Sequence, residues 1–380
     1  MLELLFWSLL LIIVYTYIGY PCLLLILSLL KTKPVSKADT APSVSIVITA
    51  YNEEKIIRDK IENSLSLDYP SGKLEIIVAS DHSTDRTDEI VSEYAKTGVK
   101  LVRNSGQRGK EAAQNEAISH ARGDILVLSD ASIMIERETL RKMVSNFNDQ
   151  SIGCVSSEDK IVPSDNTEYQ GEGLYVKYEM FLRKLESKVN SLVGASGSLY
   201  AARRELCDHS LSGLSEDFFR VLSVARKGYR TIVEPEAFGI YKTVRSAKKE
   251  FRRKMRTVMR GMSALFHAKD MLNPFRYGFL SIQLISHKLL RWSVPWFMIG
   301  MAITNVFLIR ESSFYFMIFL AQITFYVLAV VGHFLQERRL KTVLLKVPYF
   351  FCTVNLAILA AWWKYFSGKR YVTWEPSKRS

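Results

Sequence analysis

Ile125-Leu126-Val127-Leu128-Ser129-Asp130-Ala131-Ser132 is the stretch on which the reading of this chain turns. The apolar run Ile125 to Leu128 predicts a strand buried on both faces, since polar alternation disappears when neither face meets water. It stops abruptly at Ser129-Asp130, and Ser132 adds a second oxygen side chain. A carboxylate at the C-terminal end of such a strand lies on the edge where open α/β sheets bind ligands. In extended chain a spacing of two puts Asp130 and Ser132 on one side. There they can share a divalent cation, because hard cations take oxygen ligands. Capping of the next helix by Asp130 accounts for the same residues, and the rest of the chain decides between the two.

Working outward, Val44 to Ala50, Leu74 to Ala79 and Val99 to Val102 read as three more strands, with Asp124 to Ser129 the fourth. Tyr51-Asn52-Glu53-Glu54 predicts the opening of a helix to about Leu67, with Asn52 as its cap and the glutamates at the positive end of the dipole. A second helix is expected to about Ala95 and a third over Gln107 to His120. Strands alternating with helices predict an α/β domain with a mostly parallel sheet. The first strand-to-helix turn has no glycine, which excludes the dinucleotide-binding fingerprint. Gly106-Gln107-Arg108-Gly109-Lys110-Glu111 has too few residues between its glycines for a P-loop, and a glutamate where the hydroxyl residue belongs. Lys110 at a helix start still suits a diphosphate, or serves as a solvated surface lysine.

The 380 residues are 48% hydrophobic and 23% charged, ordinary averages that hide segregation. Leu4 to Leu30 is uncharged and long enough to span a bilayer, and no small-residue cleavage site follows it, so residues 1–30 read as an uncleaved anchor. Residues 31–42 form a linker, 43–240 the sheet domain, 241–291 basic amphipathic helices, 292–363 further transmembrane helices and 364–380 a basic tail. Lys31, Lys33 and Lys37 after the anchor put the domain in the cytoplasm by the positive-inside rule. Blocks at Trp292 to Ile309, Phe314 to Leu335 and Val343 to Trp363 predict three crossings and an external tail. Lys369, Arg370, Lys378 and Arg379 in that tail pull the other way. The net charge of +13 gathers beside apolar blocks and in Arg245 to Arg260, a pattern for anionic lipid or phosphates and not for nucleic acid. The four cysteines have no metal-ligand spacing and read as reduced packing thiols.

Four motifs then carry a resemblance. Ser45 to Glu54 resembles the opening of the family 2 glycosyltransferases. Ser80 to Thr87 resembles that family's D-D-G-S-x-D-x-T turn, with Ser80 for the first acid and His82 for the glycine. Gly109-Lys110 with Ala113, Asn115 and Ala117 resembles its G-K-x-x-A-x-N-x-A helix, and Asp130-Ala131-Ser132 falls at its D-x-D, with Ser132 replacing the second acid. The flanking apolar blocks resemble the membrane branch that includes cellulose, hyaluronan and poly-N-acetylglucosamine synthases. The resemblance implies a GT-A-type fold and a nucleotide-diphosphate-sugar donor, held by Ala50, Tyr51, Glu53 and Asp81 at the base and ribose. It implies Mg2+ or Mn2+ on Asp130 and Ser132, and Lys110 near the diphosphate.

Farther on, Ser215-Glu216-Asp217-Phe218 opens a helix. Two acids there can serve the dipole alone. The resemblance implies more: Asp217 as general base of an inverting transfer, with Glu216 beside it. Phe251, Met255, Val258, Met259 and Met262 recur at helical spacing among arginines, which predicts an interfacial helix. The family's Q-x-x-R-W segment falls near Arg253 and Arg256, expected on the donor diphosphate; Lys288-Leu289-Leu290-Arg291-Trp292 is the other candidate. The implied acceptor is a glycan or a lipid-linked acceptor in cell-surface polysaccharide synthesis, with partner subunits of an export system. The alternatives are single-sugar transfer to a polyprenyl-phosphate carrier and an inactive sugar-nucleotide-binding scaffold.

Overall fold

The computed structural model describes residues 1–162, 170–207, 213–242, 247–335 and 342–369. Helix α1 (Leu2–Val14), a π-helical turn at Tyr15–Gly19 and helix α2 (Tyr20–Leu30) run on as one apolar rod. Pro21 lacks the N–H that would reach back to the Tyr17 carbonyl, and the π turn sits where that bond is lost. The freed Tyr17 carbonyl accepts from the Tyr178 hydroxyl at 3.1 Å instead. The linker that follows is pinned to the domain: the Lys33 amide donates to the Lys188 carbonyl at 2.8 Å and the Ala38 amide to the Ser145 carbonyl at 3.2 Å.

The first half of the domain alternates as expected: β1 (Val44–Ala50), α3 (Ile57–Leu65), β2 (Leu74–Ser80), α4 (Thr87–Glu93), β3 (Val99–Arg103), α5 (Lys110–His120) and β4 (Ile125–Asp130). β1 lies between β2 and β4, parallel to both, with Val44 beside Leu74 and Ile125. All seven residues of β1 are buried, as a strand covered on two faces must be. Gly123 lets the turn into β4 press on β1, because a Cβ there would come within 2.5 Å of the Val44 carbonyl carbon. The helix expected from Tyr51 starts only at Ile57. Asn52 is not its cap; it sits at φ 53° and turns its side chain elsewhere.

The second half mixes directions: β5 (Met134–Ile135), α6 (Thr139–Ser145), β6 (Ile152–Val162), α7 (Gln170–Val189), β7 (Leu199–Arg203), α8 (Glu216–Arg226) and β8 (Arg230–Lys242). The described residues form one sheet in the order β3-β2-β1-β4-β7-β6-β8-β5. β7 is antiparallel to both β4 and β6. This brings the segment just before β7 alongside the end of β4, where the Asp130 amide donates to the Ser198 carbonyl at 3.0 Å.

Beyond the sheet come α9 (Ala247–His267), α10 (Pro274–Tyr277), α11 (Phe279–Leu284), a π-helical turn at Ile285–Leu290, α12 (Arg291–Leu308), α13 (Ser313–Phe334) and α14 (Val343–Phe366). Among the described residues, Leu2–Leu30, Ser313–Phe334 and Val343–Phe366 are long and apolar enough to cross a membrane. The block from Trp292, expected as a crossing, is helical but is not one of those three; its helix carries Arg291, Thr304 and Asn305 as buried polar groups. The apolar stripe of α9, expected to face lipid, is taken up by protein: Met255 and Met259 pack on Ala357 and Ala361 of α14. Arg338, Arg339 and Lys341, Arg245 at the start of the basic stretch, and the residues from Arg370 on lie outside the described residues.

Candidate functional site

The C-terminal ends of β1, β2 and β4 share one edge, and three loops rise from it. The loop after β2 is built around Asp81, fully buried. Its amide donates to the Ala50 carbonyl at 2.9 Å. Its Oδ1 accepts from the Gly109 amide at 2.9 Å and the Asn104 side chain at 3.2 Å, while its buried Oδ2 has no hydrogen-bond partner among the described residues. His82 takes φ 57°, a left-handed conformation that glycine adopts freely and histidine does not. That is why the resembling turn has glycine there. Asn52 ties this loop to the one after β1 by accepting from the Thr84 amide at 2.8 Å. The Glu53 amide donates to Thr87 Oγ1 at 2.8 Å, and Arg108 lies 4.1 Å from the centre of the Tyr51 ring.

On the other side of that edge, Lys110 Nζ donates to Asp130 Oδ1 at 2.6 Å and to the Gly197 carbonyl at 3.1 Å. Burial alone would favour the neutral amine, but Asp130 and then Glu216 outweigh it and hold the Lys110 ammonium above its ordinary pKa. Lys60, fully buried, donates to the Ile133 carbonyl at 2.6 Å and braces the turn after Asp130. Burial pulls its amine down to about 7. Ser132 is half-buried on the same turn.

The strip Gly194-Ala195-Ser196-Gly197-Ser198 crosses in front of this group. Asp217, at the start of α8, faces it: a Cβ on Gly197 would lie 3.4 Å from Asp217 Oδ2. The other oxygen, Oδ1, accepts from Ser215 Oγ at 2.7 Å. Glu216 turns inward, accepting from the Tyr200 hydroxyl and lying 3.6 Å from the buried Arg220 guanidinium. Burial pushes its carboxyl upward, against the pull of Arg220 and Lys110. Lys110, Asp130, Glu216 and Asp217 line one cavity of about 390 Å³, together with Arg253 and Arg256 of α9. Ala50, Tyr51, Glu53 and Asp81 lie outside it, on the neighbouring loops.

Two groupings escaped the sequence reading because their members are far apart in the chain. Arg260 of α9 reaches the Glu111 carboxylate and the Leu214 carbonyl, clamping α5 to the loop before α8. Glu111 is 1% exposed, so Arg260→Met strands a buried carboxylate and costs about 3 kcal/mol. Adding Glu111→Gln recovers most of that loss; thermal unfolding of the two variants checks it. The second grouping, Arg183 with Lys288, lines the same cavity.

Residues 45–210 match the sequence model of glycosyl transferase family 2. A beta-monoglucosyldiacylglycerol synthase of Nostoc sp. is 28% identical over 181 residues, 46% of this chain and 38% of that protein. A poly-beta-1,6-N-acetyl-D-glucosamine synthase of Staphylococcus aureus is 31% identical over 137 residues, 35% of this chain and 32% of that protein. The chain therefore spans under two-fifths of each relative's length. A mannosyltransferase of Pyrobaculum calidifontis, solved in complex with GDP-Man and Mn2+, superposes with TM-score 0.71 at 24% identity, over 97% of this chain and 100% of that one. The matched residues carry the loops of Asp81, Lys110 and Asp130, and the sheet and its flanking helices have the GT-A glycosyltransferase fold: residues 45–210 are a family 2 glycosyltransferase domain.

Proposed function

We propose that this chain is a membrane-bound inverting glycosyltransferase that moves a sugar from a nucleotide-diphosphate sugar to a glycan or lipid-linked acceptor. The observation that carries this reading is the convergence on one strip: Gly197 gives its carbonyl to Lys110, which holds Asp130, while Asp217 faces the same glycine. A donor diphosphate then lies by Lys110, and an acceptor hydroxyl lies by Asp217. The unpaired Oδ2 of Asp81 is suited to an N–H of the nucleotide base. Arg253 and Arg256 face the cavity from α9 and suit the leaving diphosphate.

The donor set fits Mg2+ or Mn2+. Among the described residues no group of three metal-ligating side chains forms a protein cage. Asp130 and Ser132 would hold the ion as the chain's oxygen donors, the ligand type hard cations take. Such an ion supplies charge neutralisation of the leaving diphosphate. The remaining chemistry belongs to the chain: Asp217 takes the acceptor proton as its oxygen attacks the anomeric carbon, and Lys110 keeps a positive charge beside Asp130.

Three apolar helices support an integral-membrane enzyme with a cytoplasmic domain, and export subunits belong to the same reading. Incubating the purified full chain with a panel of nucleotide sugars, with and without Mg2+ or Mn2+, tests it. Release of one nucleoside diphosphate on addition of acceptor is expected. A chain that binds and turns over no nucleotide sugar overturns it.

A further inference from the structure

Helix α14 is apolar enough to cross a bilayer, yet its packing keeps it beside the sheet domain. It runs alongside α9 in the same direction. Lys254 of α9 lies 5.2 Å from the centre of the Phe350 ring, and Met255 and Met259 pack on Ala357 and Ala361. Farther on, the Phe266 ring lies 6.0 Å from that of Trp362 and 5.5 Å from that of Tyr365. The two helices therefore stay together over about 18 Å of α9. That helix is tied to the domain. Arg260 reaches Glu111 of α5 and the Leu214 carbonyl, and just past its end Asp270 pairs with Arg226 of α8. Arg252, Arg253, Lys254, Arg256 and Arg260 fall within nine residues. A segment so charged stays out of hydrocarbon, and so does a helix held against it from Phe350 to Tyr365.

The opposite end of the apolar bundle is built without α14. Phe6 of α1, Leu308 of α12 and Tyr315 of α13 are buried together, with Leu10, Met301 and Ile318 around them. Among the described residues no member of α14 joins that cluster. Helix α12 does reach it, running antiparallel to the first rod. The Tyr15 hydroxyl lies 2.9 Å from Ser286 Oγ just before α12, a Cβ on Gly300 would lie 3.1 Å from Leu9, and Leu308 meets Phe6. Arg291 to Leu308 is about 26 Å of helix, most of the ~30 Å of a hydrocarbon core. Thr304 and Asn305, which make α12 less apolar, are buried in protein, where polar groups are tolerated at membrane depth.

Resting on the membrane-bound reading, we propose that the α1–α2 rod, α12 and α13 cross the bilayer, and that α14 does not. It lies on the leaflet at the domain's side, as a surface helix whose outer face docks on lipid. Leu356, Trp363 and Phe366 form that face: all three are exposed, and spacings of seven and three keep them on one side of the helix. Tryptophan favours the headgroup depth. Lys364 and Lys369 then stand on the same side as Lys31, Lys33 and Lys37, which removes the charge conflict that three crossings after the domain create. The same helix gives Val354 and Ile358 to the cavity of Asp217, so the site is walled by a helix seated at the membrane surface.

The test maps three positions in the full chain, its four cysteines replaced by alanine. Thr342 and Ser367 flank α14, and Glu311 joins α12 to α13. Thr342→Cys, Ser367→Cys and Glu311→Cys are made one at a time, and intact and permeabilised cells are treated with a membrane-impermeant maleimide. Glu311→Cys is expected to label in intact cells, and Thr342→Cys and Ser367→Cys only after the membrane is opened. Thr342 and Ser367 on opposite sides overturn the proposal, and so does Glu311 on the same side as both. Should the cysteine-free chain fail to fold, the unaltered chain carrying an epitope tag after Ser380 is treated with external trypsin. Cleavage at Arg310 with the tag protected supports the arrangement; loss of the tag or protection of Arg310 overturns it. Alkaline carbonate separates the two readings. A chain stripped from the membrane loses the membrane-bound reading itself, whereas a chain that stays, with Thr342 and Ser367 on opposite sides, loses only this placement of α14.

Discussion

Asp217→Asn lowers turnover by about 10²–10⁴-fold, the usual contribution of a positioned general base, and leaves donor affinity essentially unchanged. The reason is the division of labour between its two oxygens. Ser215 Oγ holds Oδ1 at 2.7 Å, which fixes the carboxylate while leaving Oδ2, the oxygen nearest Gly197, for an acceptor hydroxyl. The amide keeps the shape and can still accept from Ser215, but cannot take a proton. Donor contacts lie with Lys110 and Asp130 and do not change. Nucleoside-diphosphate release gives the rate and titration with the donor gives the affinity. Near-normal turnover in the variant would remove Asp217 from the mechanism, and a parallel loss of donor affinity would make it a binding residue.

The parallel half of the sheet was legible because β1 and β4 are short apolar runs with chemistry at their ends, and burial on both faces leaves no other pattern. β6 and β8 were not. β6 carries Glu158-Asp159-Lys160, and β8 carries Glu234-Pro235-Glu236, so neither shows a clean period. The loops resisted in a different way. Asn52 looks like a helix cap because caps and left-handed turns favour the same short polar side chains; only its partner Thr84, 32 residues on, separates the two. The stripe on α9 was visible, but apolar periodicity does not say whether methionines meet lipid or the alanines of α14. Lys288 was noticed only as part of a candidate motif. Its meeting with Arg183, more than a hundred residues earlier, depends on how α7 packs beside the π turn.

Asp130→Ala abolishes metal-dependent donor binding and leaves the sheet intact. Asp130 is the only carboxylate of the Asp130-Ala131-Ser132 turn, and no described cluster of metal-ligating side chains stands ready to replace it. Removing it also releases Lys110, whose raised pKa depends on that carboxylate. The direction matters for the pH profile. A lysine raised in the folded chain keeps its charge, and the contribution of that charge, through neutral pH and loses both only on the alkaline side. In Asp130→Ala that support is gone and burial pulls the Lys110 amine down, so the comparison with and without metal, and not the pH profile, isolates the missing carboxylate. The β4 backbone is held by β1 and β7, and the turn after it by Lys60, so thermal stability changes little. Calorimetric titration of donor with Mg2+ or Mn2+ and with chelator separates the outcomes. The parent chain binds more tightly with metal, and the variant binds weakly and equally in both conditions. Lys110→Ala gives the complementary result: donor affinity falls in both conditions while the metal still strengthens binding, because Asp130 remains. Equal donor affinity in the parent chain and Asp130→Ala would take the metal and the diphosphate away from this edge of the sheet.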